Sequence, residues 1–150
     1  MKYWGFWLTM FFLMVLPAGI LAEAGVESRK IVLGTHQPLS GPMKNYAQIG
    51  RGASIYFQYL NDQGGIHGRQ LFLLQRDDRF KPQRTLKLVE ELVMKDRVFA
   101  LFSGIGTETS ESAMPLLKSQ GVPHFFIGSN ARRITCLLYT SDAADERLSV

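Results

Sequence analysis

The feature that most constrains this chain is a regular alternation of short apolar runs with helix-period segments, between Arg29 and Arg133. Ile31-Val32-Leu33-Gly34 is a short β-branched run that gives way to Pro38 and the turn signal Ser40-Gly41-Pro42. Ile49, Ala53, Tyr56, Phe57 and Leu60 then recur at spacings of three and four, marking one face of a helix. Gly64-Gly65 supplies the left-handed stop. A second apolar run fills residues 71–74, and Pro82 opens a second helix with the stripe Leu86, Val89, Leu92 and Val93, ending near Lys95. Residues 98–102 read as a third strand, and Ala113, Leu116 and Leu117 as the stripe of a third helix. Pro115 inside that helix marks either a kink or a late start of regular turns. Gly121-Val122-Pro123 resets the chain for a fourth strand at 125–127.

Strands separated by helices of about a dozen residues call for parallel pairing and right-handed crossovers. The expected fold class is therefore α/β, a partial doubly wound parallel sheet. Ligands of such sheets bind outside the carboxyl ends of the strands. Those ends fall in the loops at 37–46, 75–80, 103–109 and 128–131.

Composition bounds the partners. With 46% hydrophobic and 20% charged residues the chain has globular content. Its net charge of +4 is spread between apolar positions without a basic run, so no nucleic acid partner is expected. Lys2, the apolar stretch 4–16, Pro17 and the small-x-small triplet Ala22-Glu23-Ala24 read as a cleavable export signal over 1–24. The apolar stretch is short for a membrane anchor. Cys136 is the sole cysteine, so neither an intrachain disulfide nor lipid attachment after the signal is expected. From Cys136 the pattern breaks, and residues 136–146 resemble a transposase-type sequencing adapter translated in one frame. The expected organisation is thus a signal at 1–24, a ligand-binding body at 25–135 and an extraneous tail at 136–150.

Two strand-end loops carry binding chemistry. In the first, Pro38 and Gly41 stiffen and thin the backbone, Ser40 offers a hydroxyl, and Tyr46 offers a ring and a hydroxyl. In the second, Gly104-Ile105-Gly106-Thr107-Glu108-Thr109 leaves a strand and enters a helix, where free N–H groups and the helix dipole favour a carboxylate. Thr107 and Thr109 can each cap that helix or offer a hydroxyl to a ligand. Glu108 would repel an anion, so it is expected to face solvent or a ligand amine. Gly104-x-Gly106 lacks the third glycine of a dinucleotide fingerprint, so no cofactor is expected. Asp77-Asp78 lacks a third carboxylate for a cation. His36, His67 and His124 have no catalytic or zinc spacing, and an enzyme is not expected.

Taken together, Pro38-Leu39-Ser40-Gly41-Pro42 with Tyr46, Asn61-Asp62-Gln63-Gly64-Gly65-Ile66-His67-Gly68-Arg69, Asp77-Asp78-Arg79-Phe80-Lys81-Pro82, Gly106-Thr107-Glu108-Thr109 with Pro115-Leu116-Leu117, and Gly121-Val122-Pro123 form an ordered set. That set resembles the solute-binding family serving branched-chain amino acid ABC transporters, of periplasmic binding protein type 1. The resemblance implies a two-lobed protein in the periplasm, of which this chain holds part of the first lobe. It also implies an amino acid or amide ligand and a membrane permease as partner. It assigns Tyr46 to an aromatic wall, Ile105, Gly106 and Thr107 to the segment meeting ammonium and carboxylate (Ile105 by its carbonyl), and Ser129, Asn130 and Ala131 to the carboxylate surround. Ala131 stands where the family often has Thr, and Glu108 where it commonly has proline or a small residue. A ligand-sensing domain of a receptor or amide-type regulator is the alternative. Without the remaining elements, the body is expected to expose sheet edge and fold poorly.

Overall fold

The computed structural model describes residues 23–129, 131 and 134. The expected export signal lies almost wholly, and the 136–150 tail wholly, outside these residues. The strands are β1 (Lys30–Gln37), β2 (Gln70–Asp77), β3 (Ala100–Phe102) and β4 (His124–Phe125). They form one sheet in the order β2-β1-β3-β4, parallel at every pairing. Between them run α1 (Gln48–Asp62), α2 (Pro82–Glu90, continued by a wider π turn over Glu91–Lys95) and α3 (Thr107–Gln120).

Both faces of the sheet are covered, as parallel sheets require. Side chains alternate along β1, so Val32 and Leu33 face opposite layers. Val32 packs with Val89, Leu92, Val93, Leu101, Ala113 and Leu117, the cluster under α2 and α3. Leu33 packs with Phe57, Leu71 and Ala100 under α1. The doubly wound arrangement expected from the alternation is the one observed. Leu86, in the expected α2 stripe, is instead 41% exposed.

Helix α1 corrects a second expectation. Of its apolar face only Phe57 is buried, while Ile49 and Tyr56 are exposed, and Tyr56 stacks on Tyr59 at 6.2 Å. The helix sits beside β2 at the end of the strand order, where only a narrow stripe meets neighbours. Phe57 contacts the Phe102 ring edge-on at 5.2 Å. Gly50 lets the first turn approach the sheet, since a Cβ there would stand 2.8 Å from the Gln75 side-chain oxygen. Asn61 uses its amide on both backbone groups of Leu71, donating to the carbonyl at 2.9 Å and accepting from the N–H at 2.7 Å. It thereby occupies hydrogen-bonding groups on the outer edge of β2 that another strand could have paired.

Strand ends also differ from expectation. Thr35, His36 and Gln37, beyond the apolar run expected at 31–34, are fully buried members of β1, paired with Gln75, Arg76 and Asp77. Burial is tolerated because each side chain has an internal partner. His36 bonds Asp78 at 2.9 Å, and the Gln37 amide donates to the Thr35 hydroxyl at 3.0 Å and to the Ser103 carbonyl. β4 is shorter and earlier than expected, because Phe126 adopts a φ of 54° and turns the chain out of the strand. Helix α3 runs unbroken across Pro115 from Thr107, which excludes a late start.

Candidate functional site

The carboxyl ends of all four strands open on one side of the sheet, and the loops there build the site. After β1 the chain passes Ser40 and enters a single 3-10 turn, Lys44–Ala47, which presents Tyr46 half exposed. Ser40 is tied down by Asp77: its hydroxyl donates to one carboxylate oxygen at 2.6 Å and its N–H to the other at 3.1 Å. Burial works to raise the Asp77 pKa, but the Ser40 hydroxyl, the Arg79 and Ser40 backbone N–H groups and the Arg84 guanidinium outweigh it. The carboxyl is held below its ordinary 3.8. Ser40→Ala is therefore expected to destabilise by about 1 kcal/mol, read as a lowered denaturant midpoint of the intact protein. That loss shrinks as pH falls through the folded Asp77 pKa and the acceptor is protonated.

After β3 the backbone is forced into an unusual path. Ser103 takes a φ of 58°, and a Cβ on Gly104 would lie 2.3 Å from His36 Nε2 and 2.6 Å from His124 Nε2. Only glycine fits between those two rings. Ile105 pairs with Gly128 in a parallel bridge, joining the β3 and β4 loops. Gly106, with a φ of 101°, is the residue that starts α3, and no side chain caps it. The expected capping by Thr107 or Thr109 is absent. Thr109 is buried and donates its hydroxyl to the Ile105 carbonyl at 2.6 Å, using one lone pair of the atom expected to meet an ammonium. Thr107 turns toward Ser129, hydroxyl to hydroxyl at 2.6 Å.

These loops enclose an open cleft of about 520 Å³. One wall is Met43, Tyr46 and Ile49, the other Ile105, Gly106 and Thr107, and Phe80, Ile127, Gly128 and Ser129 complete it. Among the described residues, no lining side chain is charged. The polar groups are the Tyr46 hydroxyl, the Thr107–Ser129 pair and the glycine backbones. One hydroxyl hydrogen lies between Thr107 and Ser129, and the Ser129 oxygen also accepts the Ala131 N–H at 3.1 Å. The second hydroxyl hydrogen is free to be donated to a further oxygen. The N–H groups of Thr107, Glu108 and Thr109 lie in the first turn, where a helix offers its own donors no carbonyl. The arrangement suits an anionic oxygen at one end of an otherwise apolar space.

A fully buried polar cluster underlies the cleft. Asp78 accepts His36 Nδ1 at 2.9 Å, the Thr85 hydroxyl at 3.0 Å and the Phe80 N–H at 2.8 Å. The His124 ring meets His36 edge-on at 5.5 Å, and neither His124 nitrogen has a partner among the described residues. Asp77 and Asp78 thus serve two separate hydrogen-bond sets.

Of the residues expected at the site, the cleft brings together Tyr46, Ile105, Gly106, Thr107 and Ser129. Ser40 is engaged with Asp77, Ala131 donates its N–H to the Ser129 hydroxyl oxygen, and Asn130 lies outside the described residues. Glu108 is exposed, as expected, on a smaller neighbouring cleft. Met43, Ile49, Phe80, Ile127 and Gly128 were not anticipated. Phe80 could have been, since it sits in a strand-end loop.

A parallel α/β sheet with a cleft across its strand ends is the arrangement in which open α/β sheets hold ligands. A model of the periplasmic binding protein family matches residues 30–143, and the chain belongs to that family. The match ends within the segment that resembles an adapter. The chain is 28% identical over 119 residues to Leu/Ile/Val-binding protein homolog 7 of Brucella suis, covering 79% of this chain and 30% of that protein. A possible leucine/isoleucine/valine-binding protein from Rhodopirellula baltica superposes with a TM-score of 0.69 at 23% identity, over 77% of this chain and 31% of that one. A substrate-binding periplasmic protein from Ralstonia solanacearum superposes at 0.58 with 32% identity, over 62% and 27%. The chain therefore spans about a third or less of the length of the proteins it matches.

Proposed function

We propose that the intact protein is the substrate-binding component of an ABC importer, capturing in the periplasm a small solute with a carboxylate and an apolar body. The observation that carries this reading is the Thr107–Ser129 hydroxyl pair at the start of α3, facing a cleft whose other side chains are apolar or aromatic. A carboxylate there receives a hydroxyl hydrogen and first-turn N–H groups at the positive end of the helix dipole. Met43, Ile49, Ile105 and Ile127 then cover the apolar body. The name of the Brucella relative makes branched-chain amino acids the first candidates, and the second lobe would supply any ammonium partner.

The test is calorimetric titration of the intact protein with isoleucine, hexanoate and benzoate. At least one acid is expected to bind, and Thr107→Val to weaken it about tenfold, the worth of one charge-assisted hydrogen bond. Binding of none of them, or of all equally well by the Val variant, would sink the reading.

A further inference from the structure

Phe80 stands in a conformation that side chains rarely adopt. It and Arg79 have successive φ values of 59° and 53°, in the left-handed region that non-glycine residues seldom visit. The loop is clamped there from below: Asp78 accepts the Phe80 N–H at 2.8 Å, and Asp77 accepts the Arg79 N–H at 3.1 Å. The clamp brings the far end of the ring against the ligand loop, for a Cβ on Gly106 would stand 2.6 Å from Phe80 Cε2. The side chain borders both the main cleft and a side cleft of about 290 Å³ that it lines with Pro82, Thr107, Glu108 and Thr109.

We propose that Phe80 is a selectivity residue: its ring closes the acid end of the main cleft and screens an anion held at Thr107 and Ser129 from the Glu108 carboxylate. This rests on the carboxylate reading above. An apolar ring between two like charges keeps Glu108 in solvent and gives the apolar body of the ligand a wall. Without the ring the two clefts join, the wall is lost, and Glu108 faces the bound anion. The strained backbone is then what keeps the partition in place.

The experiment uses the intact protein and whichever of isoleucine, hexanoate and benzoate it binds tightest. Phe80→Gly is expected to lower affinity about tenfold, the worth of one apolar wall. Its thermal midpoint should hold or rise, since glycine adopts that φ freely. Glu108→Gln is expected to change little in the wild-type background and to recover several-fold affinity in the Gly variant. Phe80→Asn, also at ease in the left-handed region, should repeat the pattern. Wild-type affinity in both Phe80 variants, or no recovery with Glu108→Gln in either, overturns the proposal while leaving the carboxylate reading standing. A wild-type protein that binds none of the acids overturns both.

Discussion

Acidification from pH 6.5 toward pH 3 is expected to weaken the folding equilibrium of the intact protein about tenfold for each pH unit, through His124. Burial, reinforced by the neighbouring His36, pushes the pKa of that imidazole down from 6.5 to about 3. Between those values the unfolded chain binds a proton that the folded chain does not. Stability from this source is complete above 6.5 and is lost progressively as the pH falls toward 3. The ring cannot escape by exposure, being 1% accessible with Gly104 packed against it. Denaturant titrations across this pH range measure the slope directly. His124→Leu removes both the titrating group and two unpartnered nitrogens, so it should flatten the slope by one proton while costing little at neutral pH. An unchanged slope in that variant would place the titration elsewhere.

The second large effect is expected at Asp78. Its carboxylate is fully buried and serves His36, Thr85 and the Phe80 N–H at once. Asp78→Ala leaves the buried His36 Nδ1 and the Phe80 N–H without their acceptor, while the Thr85 hydroxyl keeps the Lys81 carbonyl at 3.1 Å. The expected cost is about 3–5 kcal/mol, a large share of the 5–15 kcal/mol of a typical domain. Asp78→Asn keeps one acceptor oxygen and should cost distinctly less. Equilibrium unfolding of the intact variants measures both. A loss in Asp78→Ala no larger than that of an exposed residue would show that the cluster is not load-sharing with the fold.

Much of the architecture was legible because it follows from local pattern. Pro82 at the head of α2, Gly64 and Gly65 behind α1 and Gly121 behind α3 act through backbone geometry alone, and each stands where a helix begins or ends. The strand-helix alternation implied parallel pairing for the same reason, since a crossover helix leaves no other pairing. The misreadings share a different cause. Thr35, His36 and Gln37 look like loop because they are polar. They are strand because Asp78, far along the chain, bonds His36, and Thr35 and the Ser103 carbonyl take the Gln37 amide N–H groups, although the Gln37 Oε1 has no partner among the described residues. Tyr56 and Ile49 look like core because of their period, yet α1 has too little sheet beneath it to bury them.

The site divides along the same line. Tyr46, Ile105, Gly106 and Thr107 stand out in sequence because strand-end loops with glycine and hydroxyl residues are where such folds meet ligands. Phe80 sits in such a loop too, but its place on the cleft depends on a left-handed turn that Asp77 and Asp78 hold open. Ser40 stands out and is nonetheless committed to Asp77. By itself the sequence determined the fold class, the family and the side of the sheet that carries the cleft, since these depend on periodicity and turn chemistry near each residue. Only the tertiary structure decided which hydroxyls remain available and which polar groups are interior, because hydrogen-bond partners are chosen among residues that folding brings together.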